Sequence, residues 1–305
     1  MIKKTIYFGN PAYLSLQNSQ LRVELLADDD SGEKAVVKTV PVEDIGVVIF
    51  DCPQITTTIQ LVQRLVDFNV AIITCSASHI PMALTLALDG NTIQGERYNA
   101  QIEASLPLKK QLWQQTIKQK IENQAAVLKL EHGTSPRNML HWASEVKSGD
   151  PDNLEGRAAA FYWANLFSQI PDFRRDRMGM PPNNLLNYGY AILRAVIARS
   201  LVASGLLPTL GIHHHNRYNA YCLADDIMEP YRPYVDKVVL GIVHSKHSYD
   251  ELTKQVKKQL LAIPAIDVTI DGKRSPLMIA SQATAASLSK CFEGSARKII
   301  YPVLE

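Results

Sequence analysis

The sequence predicts an α+β protein, with a small β-rich N-terminal domain over residues 1–92 and a larger, mainly α-helical domain over residues 93–305. Two observations support this division. In the first 75 residues, short runs alternate apolar and polar positions, which is the period of a half-buried strand. Beyond residue 105, apolar residues recur with the spacing of amphipathic helices. The order of strands first and helices later is typical of an α+β fold.

The N-terminal domain is predicted to contain strands around one embedded helix. The alternating runs are Lys4–Phe8, Leu21–Leu26, Ala35–Val40 and Val47–Phe50. A helix is expected after Thr58, where Ile59, Leu61, Val62, Leu65 and Val66 share one face. The apolar run Val70–Ile73 then predicts a further strand. Polar residues around Asp89–Thr92 and Gly95–Arg97 indicate the linker to the next domain.

The second domain is predicted to be helical because apolar residues form stripes. In residues 106–130, the stripe consists of Trp113, Ile117, Ile121, Ala125 and Leu128. Similar patterns predict helices over 154–168, 183–204, 249–262 and 277–290. An Asp271-Gly272 pair predicts a hairpin turn between two short strands.

Composition is that of a globular protein. The chain has 305 residues, of which 46% are hydrophobic and 20% charged, enough to bury a substantial core. No run of eighteen apolar residues and no signal-peptide pattern is present, so we expect a cytoplasmic protein. The four cysteines contain no Cys-x-x-Cys pair, which argues against a thiolate zinc site or a disulfide framework.

Charge is distributed unevenly along the chain. Residues 1–88 contain six Lys/Arg and nine Asp/Glu, so their net charge is −3 and that of the remainder is +5. A basic second domain favours a polyanionic partner, because phosphate contacts dominate the affinity of proteins for nucleic acid. Arg174, Arg175 and Arg177 lie close together there and are candidates for a phosphate clamp.

Short segments of the second domain contain the residue types of a divalent-metal site. Glu155 opens a small-residue helix with Gly156, histidines occupy 213–215, and Asp225, Asp226 and Glu229 follow. Carboxylates with an imidazole and no thiolate favour Mn²⁺ or Mg²⁺ over structural zinc. On a helix, Asp226 and Glu229 share a face, whereas Asp225 points away and is expected to face solvent.

These segments also carry a resemblance to a known family. They occur in the order Asn153-Leu154-Glu155-Gly156, Pro182–Tyr190, Gly211-Ile212-His213-His214 and Asp226-Ile227-Met228-Glu229-Pro230-Tyr231-Arg232-Pro233. In this order they resemble the CRISPR adaptation integrases, the Cas1 family. Gly9–Leu16 and the chain length resemble the type II branch, which works beside an RNA-guided effector nuclease.

The resemblance implies an activity, ligands and partners. Glu155, His214 and Glu229 match the family's three metal ligands, with Asp226 as an adjacent or alternative carboxylate and with His213 or His215 as alternative imidazoles. In the family, a DNA 3′-hydroxyl attacks a phosphodiester at the edge of a repeat, and a captured fragment of double-stranded DNA becomes a new spacer. The resemblance further implies a homodimer built on the N-terminal domain and a complex with the small protein Cas2.

Other residues near these motifs have two interpretations each. Tyr188 is a candidate DNA contact, but helical spacing is equally consistent with core packing. Arg232 is a candidate phosphate clamp or a partner for a site carboxylate. Two rival functions stay open: a non-catalytic DNA-binding scaffold, and a phosphoesterase acting on a small molecule, although no glycine-rich phosphate loop is present.

Overall fold

A computed structural model describes residues 3–25, 37–245 and 248–305 of the chain. These residues form two compact units, Met1–Gly90 and Asn91–Glu305. The first is rich in strands and the second in helices, so the predicted α+β class is confirmed. Of the predicted strands, residue 26 and residues 35–36 lie outside the described residues.

The described residues of the first unit form two four-stranded sheets and one helix. The elements in chain order are β1 Lys4–Phe8, β2 Ala12–Gln17, β3 Gln20–Leu25, β4 Val37–Pro41, β5 Ile45–Phe50, β6 Ile55–Thr57, α1 Ile59–Asp67, β7 Ala71–Cys75 and β8 Pro81–Thr85. One sheet has the order β1-β5-β7-β8, in which β1, β5 and β7 are parallel and β8 is antiparallel. The other has the order β4-β3-β2-β6.

The core of this unit follows from the alternation seen in the sequence. Leu14, Leu21 and Ile45 are buried strand residues, and helix α1 adds Leu61 and Leu65 to the same cluster. Thr58 begins α1 because its Oγ1 accepts a hydrogen bond from Leu61 N at 3.3 Å. The predicted helix after Thr58 is therefore confirmed.

The second unit is mainly helical. Its helices are α2 Gln94–Ile102, α3 Leu106–His132, α4 Arg137–Glu145, α5 Leu154–Leu166, α6 Asn183–Ala203, α7 Cys222–Met228, α8 Arg232–His244, α9 Lys254–Leu261 and α10 Leu277–Phe292. A hairpin of β9 Asp267–Ile270 and β10 Lys273–Pro276 lies before α10. Helix α2 includes Gly95–Arg97, so the prediction of a linker at these residues is wrong.

Two long helices position the rest of this unit. Helix α3 packs against α4, α5 and a short 3-10 helix over Glu229–Tyr231, and α6 packs against α7, α8 and α10. Among the described residues, α6 alone is long and apolar enough to cross a membrane, but 83% of its apolar window is buried inside the protein. That burial is expected of a core helix.

Asn123 of α3 links distant parts of the chain to this core. Its Nδ2 donates hydrogen bonds to Pro230 O at 2.7 Å and Pro302 O at 3.0 Å, and its Oδ1 accepts one from Leu304 N at 3.0 Å. The side chain is fully buried. All three backbone groups would be left without this partner if the amide were removed, and unsatisfied buried polar groups are costly.

We expect Asn123→Ala to lower the thermal unfolding midpoint by about 5–10 °C, because two carbonyls and one N–H lose their buried partner. Circular dichroism at increasing temperature measures this shift. Lys118→Ala, an exposed position of the same helix, is the matched control and should change the midpoint by less than about 2 °C. An Asn123→Ala midpoint equal to that of the control would contradict the assigned role.

Candidate metal centre

The two carboxylates predicted as metal ligands meet at one point. Lys120 of α3 extends its Nζ to 2.6 Å from Glu155 Oε1 and to 2.6 Å from Glu229 Oε2. Glu155 comes from the first turn of α5 and Glu229 from the 3-10 helix before α8. Carboxylates far apart in sequence therefore face the same cation position.

Glu155 is held by a rigid helix start. Asp150 Oδ1 and Oδ2 accept hydrogen bonds from Leu154 N and Glu155 N, both at 2.9 Å. Asn153 Oδ1 accepts another from Gly156 N at 3.2 Å. These bonds satisfy the free N–H groups that every helix N-terminus leaves.

Gly156 has a different role from the one that its small size indicates. A Cβ atom there would lie 2.8 Å from the side chain of Asn153. The glycine thus makes room for the cap of its own helix. Ala158, two residues later, is the fully buried small residue on the face that packs in the core.

Glu229 lies among cations. Its Oε1 is 3.0 Å from Arg232 Nε, and burial raises its carboxyl pKa while Arg232 and Lys120 lower it by more, so the pKa lies below the usual value. Its Oε2 lies 2.6 Å from Lys120 Nζ. This oxygen therefore already pairs with a cation, and carboxylate oxygens are also ligands of Mn²⁺ and Mg²⁺.

Lys120 is buried and charged. Burial alone would lower the pKa of its ammonium, but the carboxylates of Glu229 and Glu155 outweigh burial and raise the pKa. Lys120 is not among the predicted site residues, because a lysine on an amphipathic helix is usually solvated. One signal was available: Lys120 lies seven residues after Trp113 and therefore on the apolar face of α3.

The histidine loop is fixed by Asp226. Its Oδ2 accepts from Ile212 N at 2.7 Å and His213 N at 2.9 Å, and its Oδ1 accepts from His214 N at 3.2 Å. His214 Nδ1 lies 2.5 Å from the same Oδ1. This hydrogen bond is the main cause of the raised pKa of His214, with burial opposing it.

These bonds separate the roles of neighbouring residues. Asp226 is fully buried, and both of its carboxylate oxygens accept hydrogen bonds from N–H groups of the loop. Its carboxylate therefore orients His214 and is not free to bind a metal. With Nδ1 of His214 on Asp226, Nε2 is the nitrogen left for a metal. Gly211 admits the loop, since a Cβ there would lie 2.4 Å from His214 O and 2.8 Å from Asp226 Oδ2.

The two other histidines have different surroundings. His213 stacks on Trp113 with ring centroids 4.1 Å apart and planes 1° apart, and burial lowers the pKa of its imidazole. Trp113 also meets His214 edge-on at 5.6 Å. The stacked ring of His213 is thus a support for the loop. His215 is exposed beyond it.

Asp225 is buried, so the expectation that it faces solvent is wrong. Its Oδ1 lies 2.7 Å from Arg194 Nε and its Oδ2 accepts from Asn219 Nδ2 at 2.7 Å. Both partners are distant in sequence from α7, and a helical wheel cannot reveal them.

Some of the predicted DNA contacts are exposed, and the others are buried or bonded to other side chains of the protein. Arg174 and Arg177 are exposed. Arg175 donates to Asn183 Oδ1 and Asn187 Oδ1, each at 2.8 Å, so its guanidinium ties the preceding loop to α6. Tyr188 is buried in α6, and its position does not fit the prediction of a DNA contact. Arg232 pairs with Glu229, the second of its two interpretations.

Tyr190 connects the two arginines. Arg232 lies over its ring with 4.9 Å between the guanidinium carbon and the centroid, and Arg175 lies 5.4 Å from the same centroid. The Tyr190 hydroxyl donates to Asp236, which also accepts from Tyr162 at 2.9 Å. Burial raises the pKa of Asp236 to about 6, despite these bonds and the nearby arginines.

The predicted ligands are not arranged as a complete metal site. Within the ranges 3–25, 37–245 and 248–305, no three His, Cys, Asp or Glu side chains are grouped closely enough to hold a metal ion. Glu155 and Glu229 instead share the ammonium of Lys120. The donor set, two carboxylates and an oriented imidazole, is chemically suited to Mn²⁺ or Mg²⁺. A cavity of about 660 Å³ elsewhere in this unit is lined by Tyr234, Lys237 and Arg274 and by none of these residues.

Comparison with known proteins identifies the family. The model of the family described as CRISPR associated protein Cas1 matches residues 6–264. The chain belongs to the Cas1 family. It is 35% identical over 272 residues to a CRISPR-associated endonuclease Cas1 of Neisseria meningitidis, covering 89% of this chain and 86% of that protein. The predicted resemblance is confirmed.

Solved structures agree on the fold. A casposase bound to integration product aligns with a TM-score of 0.78 and 19% identity, covering 98% of this chain and 92% of that one. A Cas1 protein from Thermotoga maritima aligns with a TM-score of 0.72 and 16% identity, covering 97% of this chain and 99% of that one. A Cas6-RT-Cas1–Cas2 complex aligns at 0.74 and 18% identity, covering all of this chain and 37% of that one.

We expect Asp226→Ala to release the histidine loop, because three backbone N–H groups lose their acceptor. Amide hydrogen exchange measured by mass spectrometry should speed up on the order of 100-fold over residues 212–214. Asp225→Ala is the matched control, since Asp225 bonds Arg194 and Asn219 instead. Equal exchange of this loop in the wild type and Asp226→Ala would show that Asp226 does not hold it.

Asp236 predicts a pH dependence of stability. Its pKa of about 6 in the folded protein exceeds the unfolded value, so its protonated form favours folding and this contribution is lost as pH rises toward 6. From pH 5 to pH 7, the unfolding free energy of the wild type should fall by about 1 kcal/mol more than that of Asp236→Asn. The variant serves as the reference because its amide does not titrate. Urea unfolding at both pH values measures the difference, and a pH-independent difference would contradict the shift.

Proposed function

We propose that this chain is a divalent-metal-dependent DNA endonuclease and integrase, in which a DNA 3′-hydroxyl attacks a phosphodiester at the edge of a CRISPR repeat. The observation that carries the proposal is the convergence of Glu155 and Glu229 on one cation position. Membership of the Cas1 family adds the substrate class. The casposase in the structural comparison is titled as bound to an integration product, which supports strand transfer by this fold.

The residues that would hold the metal are Glu155, Glu229 and His214. When bound, Mn²⁺ or Mg²⁺ would lower the pKa of the attacking hydroxyl and neutralise charge on the phosphoryl oxygens. Asp226 fixes the tautomer and ring orientation of His214, and Arg232 holds the carboxylate of Glu229. Phosphoryl transfer depends on positioning and electrostatics, which suits a site without a covalent nucleophile.

The chain offers DNA two exposed cations near α6. Arg174 and Arg177 remain free to meet phosphates because Arg175 alone of this group is committed to Asn183 and Asn187. Phosphate contacts supply affinity and register without reading sequence. We propose that these two residues hold the duplex while the metal ligands act on its end.

The proposed assembly comprises a homodimer, formed through the strand-rich first unit, and a Cas2 partner. Support for Cas2 comes from the structural similarity to a complex titled Cas6-RT-Cas1–Cas2, in which the matching part is about a third of the other chain. Cooperation with a type II effector nuclease belongs to the same proposal, through the resemblance of Gly9–Leu16. These partners would supply spacing and target selection.

A second candidate is a DNA-binding scaffold without chemistry of its own. The observation that favours it is the pairing of both carboxylates with Lys120, which satisfies their charges without a metal. A scaffold would need the exposed arginines but not Glu155. The two functions therefore differ in what loss of that carboxylate does.

We expect Glu155→Gln to reduce strand transfer at least about 100-fold, because the amide is a poor ligand and the metal's electrostatic contribution is lost. A labelled duplex with 3′-hydroxyl ends is incubated with Mn²⁺, Cas2 and a supercoiled plasmid carrying the CRISPR array of the source genome. Label joined to the plasmid is the readout, and EDTA should abolish it.

Glu145→Gln, an exposed acid on α4, is the matched control and should join label like the wild type. Duplex affinity, measured by fluorescence anisotropy, should change less than about 3-fold in either variant. If the wild type joins no label yet binds the duplex as tightly as Glu155→Gln, the scaffold function gains and the metal-dependent reaction is contradicted.

A further inference from the structure

Lys120 occupies the position between the two carboxylates that a divalent metal would need. Its Nζ lies 2.6 Å from an oxygen of each, and the residue is only 8% exposed. A metal ion binds carboxylate oxygens at about 2.0–2.2 Å. An ammonium and a metal ion cannot both lie between the same two oxygens at these distances, so one must leave for the other to bind.

The two carboxylates need a cation in either state. Glu229 is buried and Glu155 is partly buried, and two negative charges brought this close repel unless a positive charge lies between them. Lys120 supplies that charge from α3, whose length and packing fix its position. The lysine thus keeps the ligands assembled before a metal arrives.

A displaced ammonium would lose the two carboxylates that now neutralise it. In the part of the chain that the structure describes, the carboxylates acting on Lys120 are those of Glu229 and Glu155, and Arg232 repels it. Asp226 and Asp150 are engaged with backbone N–H groups. An unpaired ammonium in this buried position would be costly. Its natural new partner is an anion from outside, and a DNA phosphate is the anion that the proposed reaction brings.

We propose that Lys120 is an internal cation that closes the metal centre of the free protein, and that a divalent metal and a DNA phosphate together release it. Metal and DNA would then bind cooperatively, since each lowers the cost of moving the ammonium. Metal ions would bind weakly to the protein without DNA. This inference rests on the proposed metal-dependent reaction.

The first test is the affinity for Mn²⁺ without DNA, measured from the free-ion electron paramagnetic resonance signal. Lys120→Met keeps an unbranched side chain, one atom shorter, but removes the ammonium, and it should bind Mn²⁺ on the order of 10-fold more tightly than the wild type. Lys118→Met, at an exposed position of the same helix, is the matched control and should match the wild type. Glu155→Gln should lose the binding.

The second test adds a short duplex with 3′-dideoxy ends, which has no hydroxyl for strand transfer. The wild type should bind Mn²⁺ on the order of 10-fold more tightly with this duplex than without it, after subtraction of the ions bound by the duplex alone. In Lys120→Met the duplex should change the affinity less than about 2-fold. A duplex effect of equal size in both proteins would overturn the coupling.

A third measurement uses the wild-type protein and so does not depend on the folding of a variant. Acetylation with an N-hydroxysuccinimide ester, located by fragment-ion mass spectrometry, should be slow at Lys120 in the free protein. Saturating Mn²⁺ should speed it up on the order of 10-fold at Lys120 and leave Lys118 unchanged. An unchanged rate at Lys120 with bound Mn²⁺ would overturn the displacement.

The outcomes separate this inference from the proposed function. If Glu155→Gln loses Mn²⁺ binding but Lys120→Met binds no more tightly than the wild type, the metal centre is supported and the role of Lys120 is overturned. If Glu155→Gln and the wild type bind Mn²⁺ equally, the ions bind elsewhere and both proposals fail.

Discussion

The candidate site depends on one electrostatic constraint, which is that two carboxylates lie beside the same cation position. Glu155 and Glu229 come from separate elements, and their charges repel unless a cation lies between them. The ammonium of Lys120 supplies this cation from within the chain. Because it belongs to a 27-residue helix packed on both elements, the ammonium is fixed by the core rather than by a mobile loop. The geometry of the two carboxylates therefore follows from the packing of α3.

The imidazole is positioned by different means because it lies on a loop. A loop has no ladder of helical hydrogen bonds, and its N–H groups need other acceptors. Asp226 provides them and also orients His214, while Trp113 supports the neighbouring His213 by stacking. Asp226, predicted as an alternative ligand, thus determines where the His214 imidazole lies. Conformational precision at a metal site requires such supporting groups as much as the donors.

Elements that follow from periodicity are predictable from the sequence, whereas features that depend on tertiary contacts are not. The strands, α1, α3 and α6 have clear apolar patterns, and the family motifs singled out Glu155 and His214. By contrast, α2 is polar along most of its length, and its Gln101 is buried because its amide donates to Leu207 O and Leu210 O far along the chain. Asp225 was assigned to solvent because Arg194 lies on another helix. A helical wheel shows which residues share a face, but not what that face meets.

The polar residues on the buried face of α3 explain how charge and backbone are fixed together. Asn123 holds Pro230 O, one residue after Glu229, and Lys120 one turn earlier holds the Glu229 carboxylate itself. The same helix face thus sets both the path of the chain at residues 229–230 and the direction of the side chain. A helix of uniform apolar face would pack as well, but Glu229 Oε2 would lose its cation and the buried Pro230 carbonyl would lose its donor. The polar interruptions of the stripe are therefore what makes α3 the base of the site.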